Sequence, residues 1–120
     1  MKSRTASAKV QPRFRVYCGE EIALGPGRVD LLEKVGETGS IAEAAHEMGM
    51  SYMRAWTLIK STEKCFRQPL VMVSRGGTKH GGAKLTAHAV RVLELYRAME
   101  AESLRGTGDI RKELLKLLRR

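Results

Sequence analysis

A mainly α fold with a small β wing is what the sequence predicts, and three observations carry that prediction. Residues 39–66 read as two short helices meeting at a glycine. A glycine-rich stretch, residues 75–83, lies between two short apolar runs. A long segment with a threonine at its head and an apolar stripe follows. Two helices joined by a tight turn, a ribbon and a long last helix together make a winged helix-turn-helix, with the last helix expected to mediate dimerisation.

In chain order, residues 1–12 are polar and basic and are expected to be a disordered arm. Residues 13–19 alternate Phe14, Val16 and Cys18 with Arg15 and Tyr17, the period of a short strand that could join the wing as its third member. Residues 20–26 read as a connection. Val29, Leu31, Leu32 and Val35 recur at helical spacing within 27–38, which makes that segment the first helix of a three-helix core. Ser40 can cap the next helix, with Glu43 three residues on reaching back to it in a capping box. Gly49 is the stop. The motif needs Ala45 four residues earlier, because a small side chain lets the second helix cross closely while glycine accepts the positive backbone angle of the turn.

Ser51 caps the following helix, whose Ala55, Leu58, Ile59, Thr62 and Phe66 should face inward. Met53, Thr57, Lys60 and Lys64 fall on the opposite face, flanked by Tyr52, Arg54, Trp56 and Ser61. Residues 70–74 are of strand type and residues 84–86 can return as its partner, so the glycines between them form a wing tip. Arg75, Lys79, His80 and Lys84 decorate that wing with donors for phosphates or a minor groove. A phosphate-binding loop is the other reading of these glycines. Gly77 to Gly82 has its spacing, but Ala83 stands where the lysine is required, which removes it.

Thr86 caps a long helix carrying Ala89, Val90, Leu93, Tyr96, Arg97 and Met99 to about Leu104. Its apolar stripe exceeds what an outer helix needs, and packing against a twin in a second copy would use the surplus. The tail then places Ile110, Leu114, Leu117 and Leu118 on one face of a basic amphipathic helix, with Asp109 as its cap. Three regions result: an arm over 1–12, a winged domain over 13–105 and a terminal helix over 106–120.

Charge is segregated along the chain. The net charge is +9, and a basic balance of this size points to a polyanionic partner. Residues 64–91 hold six Lys or Arg and no acid, and residues 1–19 hold five more without an acid. Residues 20–63 carry eight acids against four bases. A merely solvated surface mixes its signs, so a basic block spanning the end of one helix and the whole wing reads as phosphate attraction.

Several function classes are set aside. No apolar run approaches membrane-spanning length, and the N-terminus lacks the apolar stretch of a secretion signal, so a cytoplasmic location is expected. Cys18 and Cys65 lie far from any paired-cysteine metal spacing, and His46, His80 and His88 are scattered; reduced, buried or half-buried thiols, no metal and no cofactor are the expectation. No nucleophile–base pair is found, so the chain is not read as an enzyme. Sequence-specific transcriptional regulation is the preferred function. The alternatives are a non-specific nucleoid or RNA-binding protein, against which the scarcity of stacking aromatics counts, and a protein-interaction module with the tail as its handle.

Gly39-Ser40-Ile41, Ala44-Ala45, Met48 to Tyr52 and Ala55-Trp56, followed by Pro69-Leu70-Val71, the glycine wing, Leu85-Thr86 and Leu95-Tyr96, resemble the N-terminal DNA-binding domain of the ModE family. These are molybdate-responsive bacterial regulators, and that domain is itself similar to the winged helix-turn-helix of LysR-type regulators. The resemblance spans about residues 13–102. It implies a homodimer on double-stranded DNA, with the helix from Ser51 in the major groove. Base-facing candidates are then Ser51, Tyr52, Met53, Arg54 and Thr57, with Lys60 nearer the backbone; Lys64 and the wing residues extend the surface. Trp56 is expected to wedge between helices, because tryptophan usually buries most of its ring. Full-length members sense molybdate through C-terminal oxyanion-binding modules. Here the chain ends after a short basic helix, so molybdate binding is not implied; constitutive regulation of molybdenum-related genes, a sensor borrowed from a separate sensor protein and recruitment to another operon all stay open.

Overall fold

The computed structural model describes residues 8–74 and 82–119. Along the chain lie β1 (Val16–Cys18), β2 (Glu21–Leu24), α1 (Pro26–Thr38), α2 (Ile41–Glu47), α3 (Tyr52–Glu63), β3 (Val71–Ser74), β4 (Gly82–Leu85), α4 (Ala87–Gly106) and α5 (Gly108–Lys116). Proline at the head of α1 has no amide to leave unpaired and a backbone angle already suited to a helix. The apolar spacing within α1 does what it promised: Val29, Leu31, Leu32 and Val35 are all buried. They meet Ile41, Ala44 and Ala45 of α2, Ala55 and Ile59 of α3, and Ala89, Leu93 and Tyr96 of α4 in one continuous core.

Two side chains lock the long helix onto this core. The Tyr96 hydroxyl donates to the Phe14 carbonyl at 2.7 Å, which ties the N-terminal segment down across the domain. Arg97 donates to Glu33 and Asp30 of α1 and to Glu100 of α4. Its guanidinium, hydrogen-bonded first to Glu33 and then to Glu100, is held still more firmly in the charged form.

The N-terminal strand differs from expectation. Residues 20–26 are not a plain connection, because β2 lies within them and pairs antiparallel with β1, Cys18 opposite Glu21. Gly19, at φ +66°, makes the two-residue turn between them, an angle that primed hairpin turns need. The strand over 13–19 therefore joins β2 and not the wing, and the two ribbons form separate two-stranded sheets among the described residues. Ile22, Ala23 and Leu24 were hard to read as a strand because only their last members are buried. In the wing, Val71 faces Leu85 and Ser74 faces Gly82, so the return strand starts two residues earlier than the apolar pattern suggested.

Helix ends show two further departures. The capping box is half made: Ser40 Oγ accepts from the Glu43 amide at 3.0 Å, but the Ser40 amide donates to Thr38 Oγ1 at 3.2 Å and not to the Glu43 side chain. At the far end α4 runs on through Gly106, and Thr107, not Asp109, stands at the cap position of α5. Arg111 closes that junction, its Nε donating to Thr107 Oγ1 at 3.0 Å while Thr107 Oγ1 donates to Ser103 O at 2.7 Å. No helix among the described residues is long and apolar enough to cross a membrane.

Candidate nucleic-acid interface

The turn between α2 and α3 is built as the glycine and the two alanines require. Gly49 sits at φ +70°, where a side chain would be strained. Ala44, Ala45 and Ala55 are each 1 % exposed or less, so the helices cross with no more than a methyl group between them. Ser51 Oγ accepts from the Arg54 amide at 3.1 Å and sets the first turn of α3.

That arrangement gives α3 two faces. Ala55, Ile59 and Thr62 are buried, with Leu58 packed against the core beside them. Arg28 of α1 secures the back of the helix: its Nη1 donates to Ser61 Oγ at 2.7 Å, Thr62 Oγ1 at 2.8 Å and Leu58 O at 3.2 Å. Outward, Ser51, Tyr52, Met53, Arg54, Thr57, Lys60 and Lys64 are all exposed, as the spacing predicts. Phe66 lies beyond the helix end, half-buried and edge-on to His88.

Trp56 is half-buried and packs against the core, the wedge expected of it. Its ring also stacks with Tyr52 at 6.4 Å between centroids, and Lys60 Nζ lies 4.6 Å above it. Tyr52, Trp56 and Lys60 are spaced four apart, so they form a continuous rail along the outer edge of α3.

The wing follows directly. Lys84 is exposed on β4 opposite Met72, which is 58 % exposed on β3. Ala83 N donates to Gly39 O at 2.9 Å, holding β4 against the end of α1. Arg75, Lys79 and His80 lie outside the described residues. Among the described residues Arg54, Lys64 and Lys84 form no ion pair, whereas Arg97 and Lys34 are engaged with carboxylates. Exposed, unpaired cations are what a polyanion meets first.

Three residues of structural weight escaped the sequence reading: Arg28, Glu63 and the hub role of Arg97. Glu63 Oε2 accepts from the amides of Leu70 at 2.8 Å and Val71 at 3.0 Å, and Oε1 lies 3.3 Å from Lys60 Nζ. Burial pushes its pKa up, but the Val71 and Leu70 amides and then Lys60 outweigh that and hold it below the ordinary value. The available signal was its place as the last acid before the acid-free block of 64–91. Cys18 is exposed, against the expectation of a buried or half-buried thiol, and Cys65 is half-buried; both are free. No group of three His, Cys, Asp or Glu among the described residues is placed to hold a metal ion.

Residues 27–90 match the bacterial regulatory helix-turn-helix protein, lysR family. The molybdenum-pterin-binding protein MopB of Rhodobacter capsulatus is 36% identical over 91 residues, 76% of this chain and 34% of that protein. The molybdenum transport protein ModE of Azotobacter vinelandii is 39% identical over 80 residues, 67% and 30% respectively. The DNA-binding transcriptional dual regulator ModE of Escherichia coli is 34% identical over 77 residues, 64% and 29%. The chain thus spans about a third of the length of the curated relatives it matches. Among solved structures, a variant of Lactococcus lactis ZitR superposes with a TM-score of 0.54 at 20% identity, covering 97% of this chain and 76% of that one, a likeness of fold.

Proposed function

Because the chain belongs to the lysR family of bacterial regulatory helix-turn-helix proteins, we propose that it is a transcriptional regulator that binds a two-fold DNA site as a homodimer. The observation that carries this reading is the outer face of α3. Tyr52, Met53, Arg54 and Thr57 project from a helix whose other face is clamped by the core and by Arg28. A rigid helix with an exposed, mixed donor and apolar face is what major-groove reading requires.

Arg54 is the base reader in this scheme, able to place two donors on a guanine edge, and Met53 offers an apolar contact for a thymine methyl. Lys60 and Lys64 take phosphates along the groove, and Lys84 with the wing residues Arg75, Lys79 and His80 takes the flanking backbone or minor groove. The dimer seam is assigned to the exposed apolar residues Val90, Leu95 and Met99 of α4, continued by α5. Molybdenum-related genes are the first targets to test, since the similar proteins MopB and ModE carry molybdenum in their names.

Selection of bound fragments from a genomic library at physiological salt, with and without molybdate, tests this. Enrichment of one two-fold motif, unchanged by molybdate, is the expected result. Broad recovery with no motif would replace regulation by non-specific packaging.

A further inference from the structure

Glu63 stands where α3 ends, and its carboxylate touches both the helix and the wing. One oxygen takes the amides of Leu70 and Val71, and the other holds Lys60. Between Glu63 and β3 the chain has neither helix nor strand, so no backbone ladder carries the orientation of α3 into the wing. Leu70 is fully buried and Val71 nearly so, and without this acceptor their amides would lose a partner where water cannot replace it. The Glu63 side chain is 14% exposed, against 49% for Lys60. Lys60 can therefore leave for a phosphate while the carboxylate stays satisfied by two charge-assisted bonds.

We propose that Glu63 is a positioning residue that couples the reading helix to the wing and restrains Lys60 until a DNA phosphate takes its place. The coupling is a property of the free protein; the exchange of Lys60 rests on the DNA-binding reading above. Spacing between the base contacts of α3 and the flanking contacts of the wing is then set by this carboxylate. Lys60, held between Glu63 and the Trp56 ring, is pre-aimed along the outer edge of the helix.

Two variants separate the two halves. Glu63→Ala removes the acceptor; Glu63→Gln keeps an oxygen for both amides but releases Lys60. In amide hydrogen exchange of the free chain, Glu63→Ala should raise exchange at Leu70, Val71 and the wing strands by roughly tenfold relative to α1 and α2. Glu63→Gln should leave these amides near wild type. On the selected DNA site, Glu63→Ala should lose the flanking part of the hydroxyl-radical footprint and keep the central part. Glu63→Gln should keep both and tighten binding by roughly two- to fivefold at an unchanged salt slope, because Lys60 meets the same phosphate without first leaving a carboxylate. Wing amides unchanged in Glu63→Ala would overturn the coupling, and so would a Glu63→Gln chain that behaves like the alanine variant. Unchanged affinity in Glu63→Gln would overturn the restraint of Lys60. If Glu63→Ala unfolds as a whole, the glutamine variant alone decides. A wild-type chain with no footprint would sink the regulatory reading, while the exchange arm still decides the coupling.

Discussion

Helices α3 and α5 are both short, both amphipathic and both basic on the polar side, yet only one of them has its apolar face covered. In α3 the residues Ala55, Ile59 and Thr62 are buried under α1 and α2. In α5 no residue is buried; Ile110 is 68% exposed and Leu114 52%. An apolar stripe says which residues share a face and leaves open what will meet that face. α3 is enclosed because the chain returns over it before and after, whereas α5 follows the end of a twenty-residue helix and is tied to that end through Arg111. Covering one exposed leucine is worth about 1.5–3 kcal/mol, so the open stripe of α5 is a standing reason for association.

The largest expected effect contrasts a leucine-sized side chain in each helix. Ile59→Ala should cost about 2–5 kcal/mol in urea unfolding, because it empties a site 2% exposed. Ile110→Ala should stay within about 0.5 kcal/mol at concentrations where the chain is monomeric. Equal losses would mean that α5 is covered after all.

Next comes the outer face of α3 against the wing. Arg54→Ala is expected to weaken binding to the selected site by about 1–3 kcal/mol and leave random DNA largely untouched. Lys84→Ala should weaken all sequences alike and flatten the salt dependence. Binding isotherms on both DNAs that show the same loss for both variants would remove Arg54 from base reading.

Association is the third test. Replacing Leu114 and Leu118 together by Glu should weaken self-association in sedimentation equilibrium by roughly tenfold or more, a cost of about 1.4 kcal/mol. An unchanged dimer would move the seam wholly onto α4. Smaller again is the contrast of caps: Ser51→Ala should destabilise by about 1 kcal/mol, since its hydroxyl holds the Arg54 amide. Asp109→Ala, which acts only through the helix dipole, should cost about 0.3–1 kcal/mol or less.

The finest effect concerns pH. Glu63 is held below the ordinary glutamate value of about 4.3 in the folded chain. A depressed folded pKa adds stability that is present above the unfolded value and lost as pH falls through the folded one. The stability of the wild type relative to Glu63→Gln should therefore decline as pH drops below about 4. A difference independent of pH across that range would show that the Glu63 charge contributes nothing.

Much of the candidate interface was legible because it depends on short-range rules. Ser51, four residues of inward spacing and Gly49 settle where α3 starts, which way it faces and how it meets α2. The strand over 13–19 was legible from its alternation, but its pairing with β2 was not, because Glu21–Leu24 has no alternation to read. Glu63, Arg28 and Arg97 were missed for another reason. A charged side chain in a sequence of mixed charges looks the same whether it meets solvent or a partner; Arg97 and Glu33 are 64 residues apart.

By itself the sequence determined the core helices and their faces, the caps at Ser40, Ser51 and Thr86, the glycine turn and the acid-free basic block, since each follows from the period of a helix, the reach of a hydroxyl or the sum of charges. Only the tertiary structure decided which strand β1 pairs with, that Glu63 joins α3 to the wing, and that α3 is covered while α5 is open. Those outcomes depend on contacts between residues distant in the chain, and no local pattern encodes which distant group will arrive.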